Sequence, residues 1–235
     1  MSTYPAWQYD EFQQIGKDYA NIEEVQAYDT RHAKIRDIKT EIRIVIDIIG
    51  LNKNDLVLEF GSGTGEFAIE ASRLCEKVYA VDISPVMLEF ARQKAENRGI
   101  SNIKFCHAGF LTYEHKGMPL NAVVSQLALH HLPDFWKLVA LRRIYKMLSA
   151  GGKFYLRDIV YTSKVNDYDD FFSNWISNIS LSADDKIARD IEAHIKNEYS
   201  TLDWVMEGLI QRAGFSIDKL DYHEGFMGVY VCTKK

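Results

Sequence analysis

The sequence has few cysteines, few prolines and no long run of apolar residues. Its three cysteines, Cys75, Cys106 and Cys232, are far apart and odd in number, which fits neither a disulfide framework nor a zinc site. We therefore expect free thiols, no metal and a cytoplasmic protein. No apolar run is long enough to cross a bilayer, and the start lacks the features of a signal peptide. Because the four prolines form no linker with glycine, we expect one domain over residues 1–235.

Clusters of positive charge are missing as well. The net charge is −5 and there is no run of lysine or arginine, so a nucleic-acid partner has little support. Residues 1–30 hold six acids and one base, and residues 161–200 hold eight acids and four bases. Residues 31–160 hold 19 bases and 14 acids, so the acidity lies in the two flanking segments. Residues 1–28 and 161–175 also contain 11 of the 29 aromatic residues.

The most informative stretch contains three glycines at alternate positions. Residues 56–60 are mostly apolar, which is typical of a strand buried on both faces. Gly61, Gly63 and Gly65 follow, and helical spacing of apolar residues begins after Thr64. Because glycine has no Cβ, a ligand can lie against the backbone of such a turn. Strand, glycine turn and helix N-terminus together are typical of a nucleotide-type site at the carboxyl end of a parallel strand.

The residues around the glycines indicate which ligand fits. The third glycine is too early for a dinucleotide fingerprint, and no lysine follows to make a phosphate loop. Glu59, two residues before the first glycine, would repel a pyrophosphate but could accept a hydrogen bond from an ammonium or hydroxyl group. Asp82 ends a second apolar strand 21 residues after Gly61, where an acid suits ribose hydroxyls. The pattern therefore favours a ligand with a ribose and a cationic amine, without phosphate.

Residues 57–68 resemble the glycine-rich motif of class I S-adenosylmethionine-dependent methyltransferases, and residues 81–84 resemble their acidic-loop motif. The similarity continues through residues 121–134 and 148–158. Alternating helices and strands predict an α/β fold with a parallel sheet between layers of helices. The resemblance implies a three-layer αβα sandwich around a seven-stranded, mostly parallel Rossmann-like sheet with an antiparallel last strand. It also implies S-adenosyl-L-methionine as the cofactor.

The resemblance further implies which residues contact the cofactor. In the family, the loop after the third strand often carries an acid that binds the adenine amino group, and here that position is Gly109. We therefore expect adenine to be held by the backbone at Gly109 and by the ring of Phe110. The full set of expected cofactor residues is Glu59, Gly61, Ser62, Gly63, Gly65, Asp82, Ile83, Gly109, Phe110 and Gln126.

Methyl transfer from a sulfonium releases a neutral thioether, so a general base is needed only for an acceptor that arrives protonated. The catalytic candidates are His130, His131 and Asp158. The two histidines could be structural, with Asp134 capping the next helix, or could contact the acceptor. A metal site is less favoured, because adjacent loop residues point to different sides. Asp158 could face the pocket or cap the next turn.

The acidic and aromatic segments, residues 1–30 and 161–200, are expected to form a lid over the acceptor. A long helix over residues 25–49 approaches the methionine end of the cofactor. Candidates for contact with the substrate or the cofactor carboxylate are Tyr19, Tyr28, His32, Arg36 and Trp175. We expect a monomer or homodimer that methylates a neutral or cationic small molecule, which could be aromatic. The alternative is a regulatory or interaction protein that keeps the cofactor site without catalytic activity.

Overall fold

The computed structural model describes residues 5–13, 25, 37–162, 167–182 and 185–235. Apolar stretches of five to nine residues form most of its strands, as their burial on one or both faces requires. The strands are β1 (Leu56–Phe60), β2 (Lys77–Asp82), β3 (Ile103–His107), β4 (Leu120–Gln126), β5 (Leu148–Tyr161), β6 (Thr201–Leu202), β7 (Phe215–His223) and β8 (Met227–Lys234).

The helices lie between the strands in sequence. They are α1 (Ile38–Ile49), α2 (Glu66–Ser72), α3 (Pro85–Asn97), α4 (Asp134–Met147), α5 (Tyr168–Ser182), α6 (Asp185–Asn197) and α7 (Asp203–Ala213). A short 3-10 turn, Leu129–His131, precedes α4. Capping explains individual boundaries: Ser84 accepts a hydrogen bond from the Met87 amide at the start of α3, and Gly50 ends α1 in the left-handed conformation.

The main sheet has the strand order β3-β2-β1-β4-β5-β8-β7, and the two-residue strand β6 pairs with β5. Neighbouring strands are parallel from β3 to β5, whereas β8 runs antiparallel to both β5 and β7. The expected sheet with an antiparallel last strand is therefore confirmed. Strand β6 was not expected, because two residues carry no readable periodicity.

Helices cover both faces of the sheet, and the side chains of each strand alternate between two cores. Val57 packs with α1 and α2, while its neighbour Leu58 packs with α4 and α7. Val124 and Val123 divide between the two cores in the same way. The expected αβα arrangement follows from this alternation, since a parallel sheet is stable only when both faces are covered.

Two details of the expectation need correction. Asp134 does not cap α4: it is the first residue of the helix, Pro133 precedes it, and its Oδ1 accepts a hydrogen bond from Lys137 Nζ at 2.7 Å. A proline at this position fixes an extended backbone before the helix, so a side-chain cap is not needed to set the boundary. Of the expected helix over residues 25–49, the structure describes residue 25 and the part from Ile38 onward.

Candidate functional site

The glycine turn lies between β1 and α2, and two of its glycines are required by packing within the fold. A Cβ at Gly61 would lie 2.4 Å from the Cβ of Ala128, and one at Gly65 would lie 2.9 Å from the Cβ of Ala91. Gly63 differs, because a Cβ there would meet no atom within 4 Å. Its φ is +50°, a conformation that favours glycine. The space above Gly63 is therefore open to a ligand.

Asp82, at the carboxyl end of β2, is bound to the glycine turn. Its Oδ2 accepts a hydrogen bond from the Gly63 amide at 2.7 Å, and its Oδ1 accepts one from the Ser84 amide at 2.8 Å. Burial raises the pKa of this carboxyl, and the backbone hydrogen bonds oppose the rise. Since a carboxylate has about four lone-pair sites, Asp82 retains capacity for donors from a ligand.

A cleft opens at the carboxyl ends of β1, β2 and β4. Seven of the ten residues expected to contact a cofactor line it: Gly61, Gly63, Asp82, Ile83, Gly109, Phe110 and Gln126. Glu59, Ser62 and Gly65 are not among the lining residues. The cleft is also lined by Glu11, Leu127 and His131. Leu127 has a φ of +54°, an uncommon conformation that is found at functional sites more often than elsewhere.

Several polar side chains are buried beside the glycine turn without a partner in the described part of the chain. They are Glu59 through Oε2, Ser62 through Oγ, Ser125 through Oγ and Gln126 through Oε1. Burial, together with the negative charge of Asp82, raises the pKa of Glu59 well above its ordinary value. A buried polar atom without a hydrogen bond costs about 1–3 kcal/mol. The atoms around this turn are therefore suited to a polar ligand.

On the other side of the cleft, His130 joins two acidic side chains. Its amide donates to Asp158 Oδ2 at 2.9 Å, its Nδ1 pairs with Asp158 Oδ1, and its Nε2 lies 3.1 Å from Glu198 Oε2. Burial disfavours the protonated ring, but the charges of Asp158 and Glu198 outweigh it and raise the pKa of His130 to about 9. His130 is therefore an imidazolium between two carboxylates at neutral pH.

Glu198 connects this pair to two further histidines. It pairs with Nδ1 of His194, and its Oε2 lies 3.9 Å from Nδ1 of His131. Burial raises the pKa of Glu198, but hydrogen bonds from the histidines outweigh it and lower the pKa below its ordinary value. His131 lines the cleft, and burial, with the charge of His130, lowers the pKa of His131 to about 4. His131 is therefore neutral at pH 7.

Ligand atoms of His130, His131 and Glu198 lie within 4.8 Å of one another, a spacing that a metal ion could use. Both ring nitrogens of His130, however, already face carboxylates. A protonated imidazole accounts for this arrangement through charge-assisted hydrogen bonds. The expectation that the histidines bind no metal stays a prediction.

Residues 57–152 match the sequence model of a family described as methyltransferase domain. An uncharacterized methyltransferase of Geobacillus kaustophilus is 27% identical to this chain, and the match covers 88% of each chain. The ubiquinone/menaquinone biosynthesis C-methyltransferase UbiE of Klebsiella pneumoniae is 26% identical, over 80% of this chain and 76% of the relative.

Among solved structures, magnesium protoporphyrin IX methyltransferase (ChlM) from Synechocystis, with bound SAM, has a TM-score of 0.57 at 13% identity. That match covers 95% of this chain and 88% of the other. The [4+2]-cyclase SpnF has a TM-score of 0.63 at 14% identity, over 83% of this chain and 80% of the other. At these identities the likeness concerns the fold. The chain therefore has the fold of class I S-adenosylmethionine-dependent methyltransferases, and residues 57–152 match a methyltransferase domain in sequence.

The residues of this cleft fit S-adenosylmethionine, the cofactor of the methyltransferases that the chain resembles. The open space at Gly63 admits a ligand against the backbone, and Asp82 retains lone pairs for ribose hydroxyls. Glu59 and Gln126 offer unpartnered oxygens, which suit an ammonium group or a hydroxyl. A phosphate group in the cleft would lie near the carboxylate of Asp82, so the site suits an uncharged or cationic ligand better than a phosphorylated one.

The N-terminal segment, residues 5–13, crosses the cleft. Trp7 stacks on Trp136 of α4 with ring centroids 6.5 Å apart, and the Tyr9 hydroxyl donates to the carbonyl oxygen of His131 at 3.3 Å. Further along, both carboxylate oxygens of Glu11 accept from the Leu111 amide, at 3.1 and 3.0 Å. The sequence predicted a lid in this region but gave no signal for Glu11, since its partner is 100 residues away.

The remaining candidates have different outcomes. Asp158 neither lines the cleft nor caps the next turn, because β5 continues to Tyr161 and the Asp158 carboxylate binds His130. Trp175 stacks on Phe226 at 4.0 Å, outside the residues that line the cleft. Tyr19, Tyr28, His32 and Arg36 lie outside the described residues, so their roles stay predictions. In the described ranges, no helix is long and apolar enough to span a bilayer.

Proposed function

We propose that this methyltransferase transfers a methyl group from S-adenosyl-L-methionine to a small-molecule acceptor. The observation that carries the proposal is the group of unpartnered buried oxygens beside Asp82 and the open space at Gly63. When bound, the cofactor supplies an electrophilic methyl group on a sulfonium. Asp82 accepts hydrogen bonds from its ribose, and Glu59 and Gln126 accept from its polar groups. The leaving thioether is neutral, so the chain mainly aligns the two reactants and excludes water.

His131 contacts the acceptor in this proposal, as a hydrogen-bonding group. Its ring lines the cleft, and its pKa of about 4 keeps it neutral. A base with so low a pKa removes a proton poorly from an acceptor with a pKa well above neutral. In this proposal the neutral ring of His131 therefore orients the acceptor rather than acting as its base.

The acceptor is neutral or cationic and small, and the two lid segments select it. Residues 1–30 and 161–200 are acidic, so they repel phosphorylated and polycarboxylate acceptors, most strongly at low salt. The stacking of Trp7 on Trp136 and the hydrogen bond from Tyr9 to His131 place aromatic rings of the first segment near the cleft. A cation over such a ring gains about 0.5–2 kcal/mol.

Calorimetric titration with S-adenosylhomocysteine tests the cofactor site. Replacing Asp82 with Ala removes the acceptor for the ribose, and each lost bond to a charged group costs about 1.5–3 kcal/mol. The matched control is Asp218→Ala, which removes an exposed acid that pairs with Lys153 on the far part of the sheet. Unchanged affinity in Asp82→Ala would contradict the site.

A second pair of variants tests whether the turn itself is the cradle. Gly63→Val fills the open space above the turn, so it abolishes binding of S-adenosylhomocysteine while the chain still folds. Gly151→Ala is the control. That glycine also has a positive φ and no atom within 4 Å of a Cβ, but it lies near the amino end of β5, whereas the cleft is at the carboxyl ends of the parallel strands. Wild-type affinity in Gly63→Val would show that the ligand lies elsewhere.

Activity is tested on a panel of neutral, cationic and phosphorylated acceptors, with and without residues 1–20. The truncated protein is expected to fold and to bind S-adenosylhomocysteine more weakly, but to methylate nothing. If the truncation unfolds the chain, the segment is part of the core; if a phosphorylated acceptor is methylated, the charge argument is wrong.

The alternative function is a regulatory or interaction protein that binds the cofactor without methyl transfer. A [4+2]-cyclase with the same fold shows that the architecture also occurs in a protein named for another reaction. Binding of S-adenosylhomocysteine without turnover of any acceptor would favour this alternative. In either case we propose a cytoplasmic monomer or homodimer without nucleic-acid or membrane partners.

A further inference from the structure

The carboxylate of Glu11 occupies a position in the cleft that no local feature of its own segment explains. Its side chain is nearly buried, with 7% of the residue exposed, although it lies only a few residues from the start of the described chain. Both of its oxygens accept from the Leu111 amide, and Thr112 also donates to it. A long-range contact therefore holds Glu11 against the loop after β3.

Gly109 leaves the space that this carboxylate fills. A Cβ built at Gly109 would lie 2.4 Å from the carboxyl carbon of Glu11 and 2.4 Å from its Oε2. The backbone of Gly109 is not in the positive-φ region, so its conformation does not require glycine. Glycine is required at position 109 because a side chain there would occupy the space of the Glu11 carboxylate. The two residues are complementary: a carboxylate delivered by the N-terminal segment stands where a side chain at position 109 would begin.

The position of Glu11 in the cleft identifies the part of the ligand it faces. Asp82 ends β2 opposite His107, the last residue of β3, in the parallel register. Ile83, Met87, Gly109 and Phe110 line the cleft on this side. A ligand whose ribose bound Asp82 would have its base within reach of this region, where Ile83 and Met87 supply apolar surface. Glu11 lies there among the lining residues.

The carboxylate of Glu11 has room for one more donor. An ionised carboxylate has about four lone-pair sites. In the described part of the chain its donors are the Leu111 amide and the amide and hydroxyl of Thr112, which leaves about one site. Arg143, the cation that acts on it, uses its guanidinium on the carbonyl oxygens of Phe110 at 3.0 Å and Tyr113 at 2.6 Å. Arg143 thus holds the loop from one side while Glu11 holds it from the other.

We propose that Glu11 accepts a hydrogen bond from the exocyclic amine of the cofactor's purine, and that it makes the protein select an amino-bearing base over an oxo-bearing one. The inference rests on the proposed function. It also assigns the N-terminal segment to both halves of the site, because Tyr9 of the same segment binds His131 on the acceptor side. Residues 9–11 would then contact both the purine of the cofactor, through Glu11, and the acceptor side of the cleft, through Tyr9.

The test compares S-adenosylhomocysteine with S-inosylhomocysteine, which carries an oxygen in place of the amine. Wild type is expected to bind the amino ligand at least about 10-fold more tightly, since a carboxylate repels the oxo group. In Glu11→Gln this preference falls at least about 10-fold, because the new amide can donate to the oxo group. Asp10→Asn, an exposed acid beside Glu11, is the control and keeps the wild-type ratio.

The outcomes separate the two proposals. If Glu11 only holds the loop, Glu11→Gln weakens both ligands equally and the ratio stays constant, which overturns the inference but leaves the proposed function. If wild type binds neither ligand, the proposed function fails and the inference fails with it. Wild type without a preference between the ligands also overturns the role of Glu11.

A reciprocal variant provides an independent test of the complementary pair. Glu11→Ala should lose the preference, and Glu11→Ala with Gly109→Asp should regain it, because the new carboxylate rises from the loop into the vacated space. Gly109→Asp alone places two carboxylates in one space and should weaken binding more than the double variant does. The two substitutions are therefore expected to be strongly non-additive. A double variant that behaves like Glu11→Ala would contradict the inference.

Discussion

Two pairs of acids near the cleft differ in what they are bonded to. Asp158 and Glu198 face histidines. Glu59 and Asp82, on the glycine-turn side, are held by hydrogen bonds from backbone amides in the described part of the chain. The pKa of each follows: burial raises it for Glu59 and Asp82, whereas the histidines lower it for Asp158 and Glu198 despite burial.

The difference separates structural acids from ligand-binding ones. Asp158 and Glu198 have their partners within the fold, so they stabilise it and have little left for a ligand. Burial of the ionised forms of Glu59 and Asp82 costs stability, and in the proposed function both accept further donors from the cofactor, an example of strain that is kept at a functional site. Replacing an acid should therefore lower the free energy of unfolding on the histidine side and raise it on the glycine-turn side.

The largest effect is expected for Glu198→Ala. It leaves the charge of His130 with one carboxylate and two further histidines without their partner, and breaking a buried ion pair costs about 3–5 kcal/mol. The free energy of unfolding, measured by urea denaturation at pH 7, should fall by that amount. The control is Glu70→Ala, an exposed acid near Arg73 and Arg98, which should cost under about 1 kcal/mol. Equal losses would contradict the comparison.

A smaller effect is expected from pH. The pKa of His130 is raised from 6.5 in the unfolded chain to about 9 in the folded one, so its stabilisation is present below pH 6.5 and is lost as pH rises through 9. Integrated over this window the loss is about 3 kcal/mol. Urea denaturation at several pH values should show this decline in wild type. In His130→Gln the decline between pH 6.5 and 9 should disappear, although the variant is less stable overall.

The smallest effect has the opposite sign. Burial raises the pKa of Glu59 in the folded protein. The free energy of unfolding therefore falls as pH rises above the ordinary pKa of a glutamate, because Glu59 ionises more easily in the unfolded chain. Glu59→Gln removes this cost and should stabilise the ligand-free protein at pH 7.5 by about 1 kcal/mol, or about 2–4 °C in thermal melting. The same variant should bind S-adenosylhomocysteine more weakly. A variant that is both less stable and unchanged in binding would place Glu59 with the structural acids.

The glycine-turn side of the cleft could be predicted from the sequence better than the histidine side. The glycine turn and Asp82 are set by short motifs, so their neighbourhood could be read from consecutive residues. His130, His131 and Asp158 were candidates, but their contacts with one another and with Glu198 could not be read, because Asp158 is 28 residues from His130 and Glu198 is 68 residues away, just after the end of α6. Glu11 is a similar case, since only its fit against Gly109 in three dimensions reveals it.

The position of β8 between β5 and β7 has a consequence for the order in which the protein can be completed during translation. Strand β5 has 14 residues, and the partner for its second edge comes much later: Lys153 pairs with Thr233, 80 residues on. At about 5–20 residues per second, synthesis leaves this edge open for about 4–16 s. An unpaired strand edge is a template for aggregation. We therefore expect the β5 edge to be a site of aggregation during synthesis, until β8 is made.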